Sequence, residues 1–339
     1  MNVKCNTKVF APKGGGAELQ IMICAPSVES ALRTAAESIP QGFSVIAGRL
    51  FLDEVTAPPP LEQPLDTISV VRERPLGDQP VSLWIWASAP SLASDLLVWS
   101  ANMVSNKEDV YDQTQEILCN YQLLLTSQGM NISENCIRTW FFVDDIDYKY
   151  ADFVRARRDF FDSEGLRADT HYIASTGIFG APGQRPATGG DVMLDALALR
   201  DPKKCGIRYL HAYSHLSPTS FYGVTFERGT VIDYDDRSHI FISGTASIDA
   251  HGKVVHTGNV GKQCDRMMEN VSVLLSEADA TMEDVQMAIV YLRNSKDLEV
   301  VQQRLSFILR NIPHTYLLAP VCRPEWLVEI ECMAVTSLS

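Results

Sequence analysis

Slid against itself by 150 positions, the 339-residue chain matches without a gap from residues 110–145 onto residues 260–295. Identities are sparse (Val110/Val260, Gln113/Gln263, Asn120/Asn270, Leu124/Leu274, Leu125/Leu275), but the apolar pattern agrees throughout. A tandem repeat means one supersecondary unit used twice, so the two copies must share a fold. In each copy apolar residues recur at three- and four-residue spacing (Ile117, Tyr121, Leu124, Leu125; Met267, Val271, Leu274, Leu275), the buried stripe of an amphipathic helix. A capping signal follows, Asn131-Ile-Ser-Glu134 in one copy and Thr281-Met-Glu-Asp284 in the other. Beyond it come a strand (136–143; 286–293) and a second helix (148–161; 297–311).

Each copy therefore reads as strand hairpin, helix, strand, helix, strand: an α+β (mixed α/β) module whose mixed sheet is packed by two helices on one face. In the second copy Asp249-Ala-His-Gly252 supplies the turn of the opening hairpin. Ahead of the repeat, a helix over 27–39 lies between apolar strands near 20–24 and 43–51, followed by the turn-prone run from Pro58 to Pro64. The expected organisation is a small N-terminal α/β region (1–80), a diverged module (81–220) and a C-terminal module (221–339). The glycine-rich stretch 174–190 between the modules reads as a long loop, and it lacks the spacing of a phosphate cradle.

With 42 acidic against 29 basic residues the net charge is −13, which excludes a general nucleic-acid binder. The densest basic cluster, Arg155, Arg157 and Arg158, reads as the solvated face of a helix. An acidic protein that binds an anion does so with a few buried arginines rather than its overall field. Eight scattered cysteines form no CxxC pair and no Cys/His spacing suited to zinc, so no metal is expected. Neither a signal-like start nor an apolar run of about 18 residues occurs, which implies a cytoplasmic protein that does not enter a membrane. No HExxH helix, GxSxG elbow or dinucleotide fingerprint is present, and the seven histidines read as structural, with His211 held in reserve.

The C-terminal run Cys322-Arg-Pro-Glu-Trp-Leu-Val-Glu-Ile-Glu331 places two carboxylates, Glu329 and Glu331, on one face of an otherwise apolar strand. That face lines either a pocket or solvent. In a pocket, desolvation raises a carboxyl's pKa and makes it a proton donor near neutrality. Cys322 has no histidine nearby to activate it as a nucleophile.

The strand Ile242-Ser-Gly-Thr-Ala-Ser-Ile248, the helix segment 269–275, Val290-Tyr-Leu-Arg293 and Leu327-Val-Glu-Ile-Glu331 resemble the RidA/YjgF superfamily. The form 322–331, together with Arg138-Thr-Trp140 and Ala174-Ser-Thr-Gly177, resembles its chorismatase branch. That resemblance implies tandem RidA/YjgF-like (chorismate mutase-like) modules, packed as a homotrimer or as a pseudo-trimer within the chain. It implies cofactor-independent cleavage of chorismate, a small anionic metabolite, to pyruvate and a hydroxybenzoate, with Glu329 as the acid. Gly244 and Cys322 match the residues beside the substrate ring in the 3-hydroxybenzoate-forming type. Arg208 and Tyr213 match the pair that binds substrate carboxylate, and Ser175, Thr176 and Gly177 resemble a further family segment, while Arg228 and Arg323 are, by their chemistry, further candidates to grip a carboxylate. Arg293 stands behind these. Two other readings remain: a RidA-type enamine or imine deaminase, and a non-catalytic metabolite-binding protein. In plain RidA proteins the carboxylate-binding arginine stands six residues ahead of the LVEIE run, whereas Arg323 stands four ahead.

Overall fold

The computed structural model describes residues 2–13, 15–59 and 67–338. The chain runs β1 (Lys4–Phe10), β2 (Glu18–Ala25), α1 (Val28–Ser38), β3 (Ser44–Leu52), β4 (Ile68–Arg72), β5 (Arg74–Pro75) and β6 (Val81–Ser88). It continues with α2 (Leu92–Leu96), β7 (Leu97–Val104), α3 (Val110–Thr126), α4 (Ile132–Asn135), β8 (Cys136–Val143), α5 (Ile146–Ser163), β9 (Ala174–Phe179), β10 (Ala181–Pro182) and β11 (Val192–Leu199). The last third holds β12 (Gly206–Leu210), β13 (Gly229–Asp233), β14 (Arg237–Ala246), α6 (Val260–Glu277), β15 (Val285–Leu292), α7 (Leu298–Leu305), β16 (His314–Leu318) and β17 (Val328–Ser337).

These strands form three sheets, ordered β1-β2-β6-β3-β4-β10, β7-β11-β8-β9 and β12-β13-β14-β17-β15-β16-β5. The order β1-β2-β6-β3-β4 repeats as β13-β14-β17-β15-β16, and without its first strand as β7-β11-β8-β9. In each, the last strand inserts antiparallel between the first pair and the strand after the helix, and the edge strand runs parallel. The repeat is therefore threefold. The N-terminal region is a third copy that the self-comparison misses, because the described residues linking β3 to β4 carry no second α-helix. Its boundary also moves. The expected break at residue 80 falls just before β6, which sits between β2 and β3 and completes the first sheet.

The modules close into a ring by one repeated device. The segment just after each edge strand pairs with the edge strand of a neighbour: β5 with β16, β10 with β4, and Val321 with Ile178 of β9. Helices cover the outer faces. α1 packs on Leu83 and Ile85 of the first sheet, and α3 and α5 on Phe141 and Val143 of the second. The inner faces meet at the ring's axis through Trp84, Trp86, Trp140, Phe142, Phe241 and Met333. Strands buried on both faces explain why the period-2 signal is weak and the runs are nearly all apolar. Among the described residues, no helix is long and apolar enough to cross a membrane.

Local expectations fare unevenly. Ser27 caps α1 and Asn131 caps α4 as their side-chain chemistry dictates. Asp284 instead accepts from its own Thr281 amide in a turn that starts no helix. The 249–252 turn closes a bridge between Ile248 and Val254, whereas the opening hairpin is β13 and β14. The first half of the glycine-rich stretch is strand, because β8 supplies a parallel partner along all of β9. Of the proline-rich run, residues 60–64 lie outside the described residues.

Candidate active site between the second and third modules

Where β9 faces β14 and β17, a cavity of about 230 Å³ is lined by Tyr150 and Arg157 of α5, Ser175–Gly177 of β9, Phe226, Arg228, Gly244, Cys322, Arg323, Trp326 and Glu329. The carboxylate face of β17 thus points between sheets and not into solvent. Glu329 is 4% exposed. Burial, then repulsion from Glu331, pushes its carboxyl up to about 8 against the opposing pull of Arg138 and Arg228. A protonated carboxyl at neutral pH is an acid ready to donate.

Gly244 makes this placement feasible. A Cβ there would collide with Glu329 Oε1. The β14–β17 register slips between Ile242 and Thr245, a bulge that turns the Gly244 amide out of the ladder. That amide donates to Thr176 Oγ1 at 3.0 Å. The neighbouring Ser175 amide donates to Ser243 Oγ at 2.9 Å, which ties the edge of the second module to the third.

Behind the cavity, on the axis, lies a buried charge network drawn from all three modules. Glu331 accepts from Arg138 Nη2 (2.7 Å), Trp140 Nε1 (2.9 Å), Thr176 Oγ1 (2.5 Å) and Tyr291 Oη (2.9 Å). Arg49, enclosed by Trp84, Trp99, Trp140 and Phe142, lies 2.9 Å from Asp195 and 3.8 Å from Glu331. Two guanidiniums therefore face two carboxylates. Glu73, fully buried beside them, has its carboxyl pushed well above the ordinary range, chiefly by desolvation.

The structure brings Glu329, Gly244, Cys322, Arg228, Arg323, Ser175, Thr176 and Gly177 around one cavity. Arg208 and Tyr213 are elsewhere. Arg208 lies on the edge strand β12, bonded to Asp233 at 3.0 Å, and Tyr213 is 59% exposed and stacked on His211. The guanidinium that replaces them is Arg157, 2% exposed and bonded to Thr225 through Nε. The sequence signal for it was available: Arg157 falls four residues after Phe153 and four before Phe161, on the buried stripe of α5. Its companions Arg155 and Arg158 are exposed, as expected. Arg293 turns away to pair with Asp147. Cys322 is not a nucleophile here, since burial and the adjacent Glu329 push its thiol up to about 12. It instead bonds to Tyr150 and forms part of the cavity wall.

Residues 231–336 match the endoribonuclease L-PSP family model. The third module belongs to the RidA/YjgF (L-PSP) superfamily. Among curated proteins, the chain is 26% identical over 97 residues to the 3-aminoacrylate deaminase RutC of Acinetobacter baylyi, covering 28% of this chain and 77% of that protein. It is 29% identical over 100 residues to a RutC family protein of Saccharolobus solfataricus, covering 29% and 79%. Over nearly its whole length, 98% of this chain and 99% of the other, it superposes on a crystal structure of chorismatase with a TM-score of 0.67 at 20% identity. The three-module arrangement is thus the chorismatase fold.

Proposed function

We propose that the chain is a cofactor-independent enzyme that cleaves the enolpyruvyl ether of chorismate, releasing pyruvate and 3-hydroxybenzoate. The observation that carries this reading is a single buried carboxyl, Glu329, held protonated near neutral pH in a cavity with three guanidiniums, Arg157, Arg228 and Arg323. An enol ether needs a proton on its methylene carbon, and a dicarboxylate needs cationic clamps. The cavity supplies both in a chain of net charge −13.

In this mechanism Glu329 protonates the methylene, the ether carbon becomes oxocarbenium-like, and the bond from oxygen to ring weakens. The neighbouring ring hydroxyl displaces the leaving oxygen, pyruvate departs, and loss of a ring proton aromatises the product. The proton given up by Glu329 is balanced by the one released on aromatisation. Walls of Tyr150, Phe226 and Trp326 keep water scarce around the cation.

Incubation with chorismate, with pyruvate read by a coupled dehydrogenase and the ring product by chromatography, tests the proposal. Pyruvate and 3-hydroxybenzoate are expected without added metal or nucleotide. Cys322→Ala should shift the ring product toward a dihydroxycyclohexadiene, because the vacated volume admits water. A product ratio indifferent to Cys322 would leave only the cleavage claim. A deaminase reading is favoured by the sequence matches to RutC proteins. It gains if an imine generated in solution is hydrolysed while chorismate is not consumed.

A further inference from the structure

Glu329 and Glu331 stand two residues apart on the same face of β17, yet their surroundings are opposite. Glu331 takes hydrogen bonds from a guanidinium, an indole, a hydroxyl and a phenol, so its anion is satisfied on both oxygens. Glu329 faces the cavity. Between them lies Thr176, whose hydroxyl accepts from Arg138 Nη2 (2.5 Å) and the Gly244 amide, and donates to Glu331. One donor proton and two lone pairs are all in use, which fixes the hydroxyl's orientation and the distance between the acid strand and the second module.

We propose that Glu331 is a positioning residue, a carboxyl pinned through Thr176 and Arg138 that acts electrostatically on Glu329 from the same face of β17. This deepens the reading of Glu329 as the acid and rests on it. The other charged or titratable groups facing Glu329 are Arg138 of β8, Tyr150 and Arg157 of α5, Arg228 ahead of β13, and Cys322 and Arg323 ahead of β17. Those facing Glu331 are Arg49 of β3, Arg138, Tyr291 of β15 and Cys332, with Glu73 and Asp195 close behind. Arg138 and Arg228 oppose protonation of Glu329; burial favours it most, and among its neighbours Glu331 is the carboxylate that adds to that.

The test titrates Glu329 without substrate, by the infrared carboxyl band that disappears in Glu329→Gln. In Glu331→Gln the midpoint should fall by about one unit or more, the scale of a like-charge neighbour. The alkaline limb of pyruvate release should fall with it. A folded Glu331→Gln protein with an unmoved midpoint overturns the proposal. Should that variant fail to fold, Thr176→Val decides. A lowered midpoint that Thr176→Ser restores supports the coupling, and a wild-type midpoint in Thr176→Val overturns it. If the midpoint shifts but chorismate is never cleaved, the chorismatase reading has failed and this one stands. If pyruvate is released with a midpoint indifferent to these changes, only the coupling has failed.

Discussion

The three interfaces of the ring share one backbone plan, and the one between the second and third modules sets a buried carboxyl, Glu329, against a glycine in a cavity. Register equates Leu52–Val81, Val143–Val192 and Leu292–Val328, so Ser82 and Met193 stand where Glu329 stands. At the interface of the third and first modules, Met22 occupies the place of Gly244, and Ser82 bonds to Thr315, the counterpart of Thr176, at 2.9 Å. At the interface of the first and second modules, Asn102 takes the glycine's place with φ 56°. Its side chain accepts from the Val70 amide (2.8 Å) and donates to the Ile68 carbonyl (3.1 Å), which stitches the edge strand shut. A pocket here depends on a missing side chain opposite a carboxyl. Fill the one or remove the other and the same strands give a sealed joint.

The largest effect should follow from copying the sealed joint into the open one. Gly244→Met is expected to abolish pyruvate release, by at least the roughly 10²-fold that loss of a general acid costs. Its side chain must also displace Glu329, with overpacking of about 1–3 kcal/mol visible as a lowered melting temperature. Adding Glu329→Ser reproduces the Met22/Ser82 pair. Stability should recover while activity stays lost, and a double variant no more stable than Gly244→Met would break the equivalence.

Arg157 separates the cavity from the surface beside it. Arg157→Met should raise KM for chorismate by ten- to a hundredfold, the size of a charge-assisted bond of about 1.5–3 kcal/mol. Arg155→Met and Arg208→Ala should leave KM unchanged, since both side chains pair with carboxylates outside the cavity. A steady-state comparison of the three variants checks this.

A smaller and slower-varying difference concerns pH. Glu329 holds its proton up to about 8 when folded, whereas an unfolded chain loses it near the ordinary value of 4.5. Between those values the folded state binds the extra proton. The stability from Glu329 is therefore complete below the ordinary value and declines as pH rises toward 8, by roughly 1.4 kcal/mol per unit where the folded form alone is protonated. Glu329→Gln should flatten that slope in denaturant titrations run across the window, and an unchanged slope would mean the carboxyl titrates normally.

How much of this was legible beforehand follows from which forces are local. Helix stripes and caps are written within a few residues, so α1, α3, α5 and α6 could be read, as could β8 to its ends. Glu329 was legible because two acids on an apolar strand contradict their neighbours. The third copy was hidden, since strand order is a property of pairing and the described residues between β3 and β4 carry no second α-helix. Arg208 misled because a matching segment says nothing about which edge of a sheet it occupies. The axial network was invisible for the same reason: Arg49, Arg138, Asp195 and Glu331 come from β3, β8, β11 and β17, and only ring closure brings them together.

The smallest expected effect lies at the joint between the third and first modules. Ser82 donates to Thr315 in a buried joint, so Ser82→Ala removes that hydrogen bond together with weak contacts to the sulfurs of Met22 and Cys24, and leaves the Thr315 hydroxyl short of a donor. The loss should be about 1 kcal/mol, the net worth of an ordinary buried bond. Because Ser82 stands here in the place of Glu329, kcat and KM for chorismate should match the wild type. Thr176, its counterpart at the open interface, carries three bonds, so Thr176→Val should cost more stability and alter catalysis as well. Equal effects of the two substitutions on pyruvate release would show that the ring transmits strain from joint to joint, and the division into one working and two sealed interfaces would have to be given up.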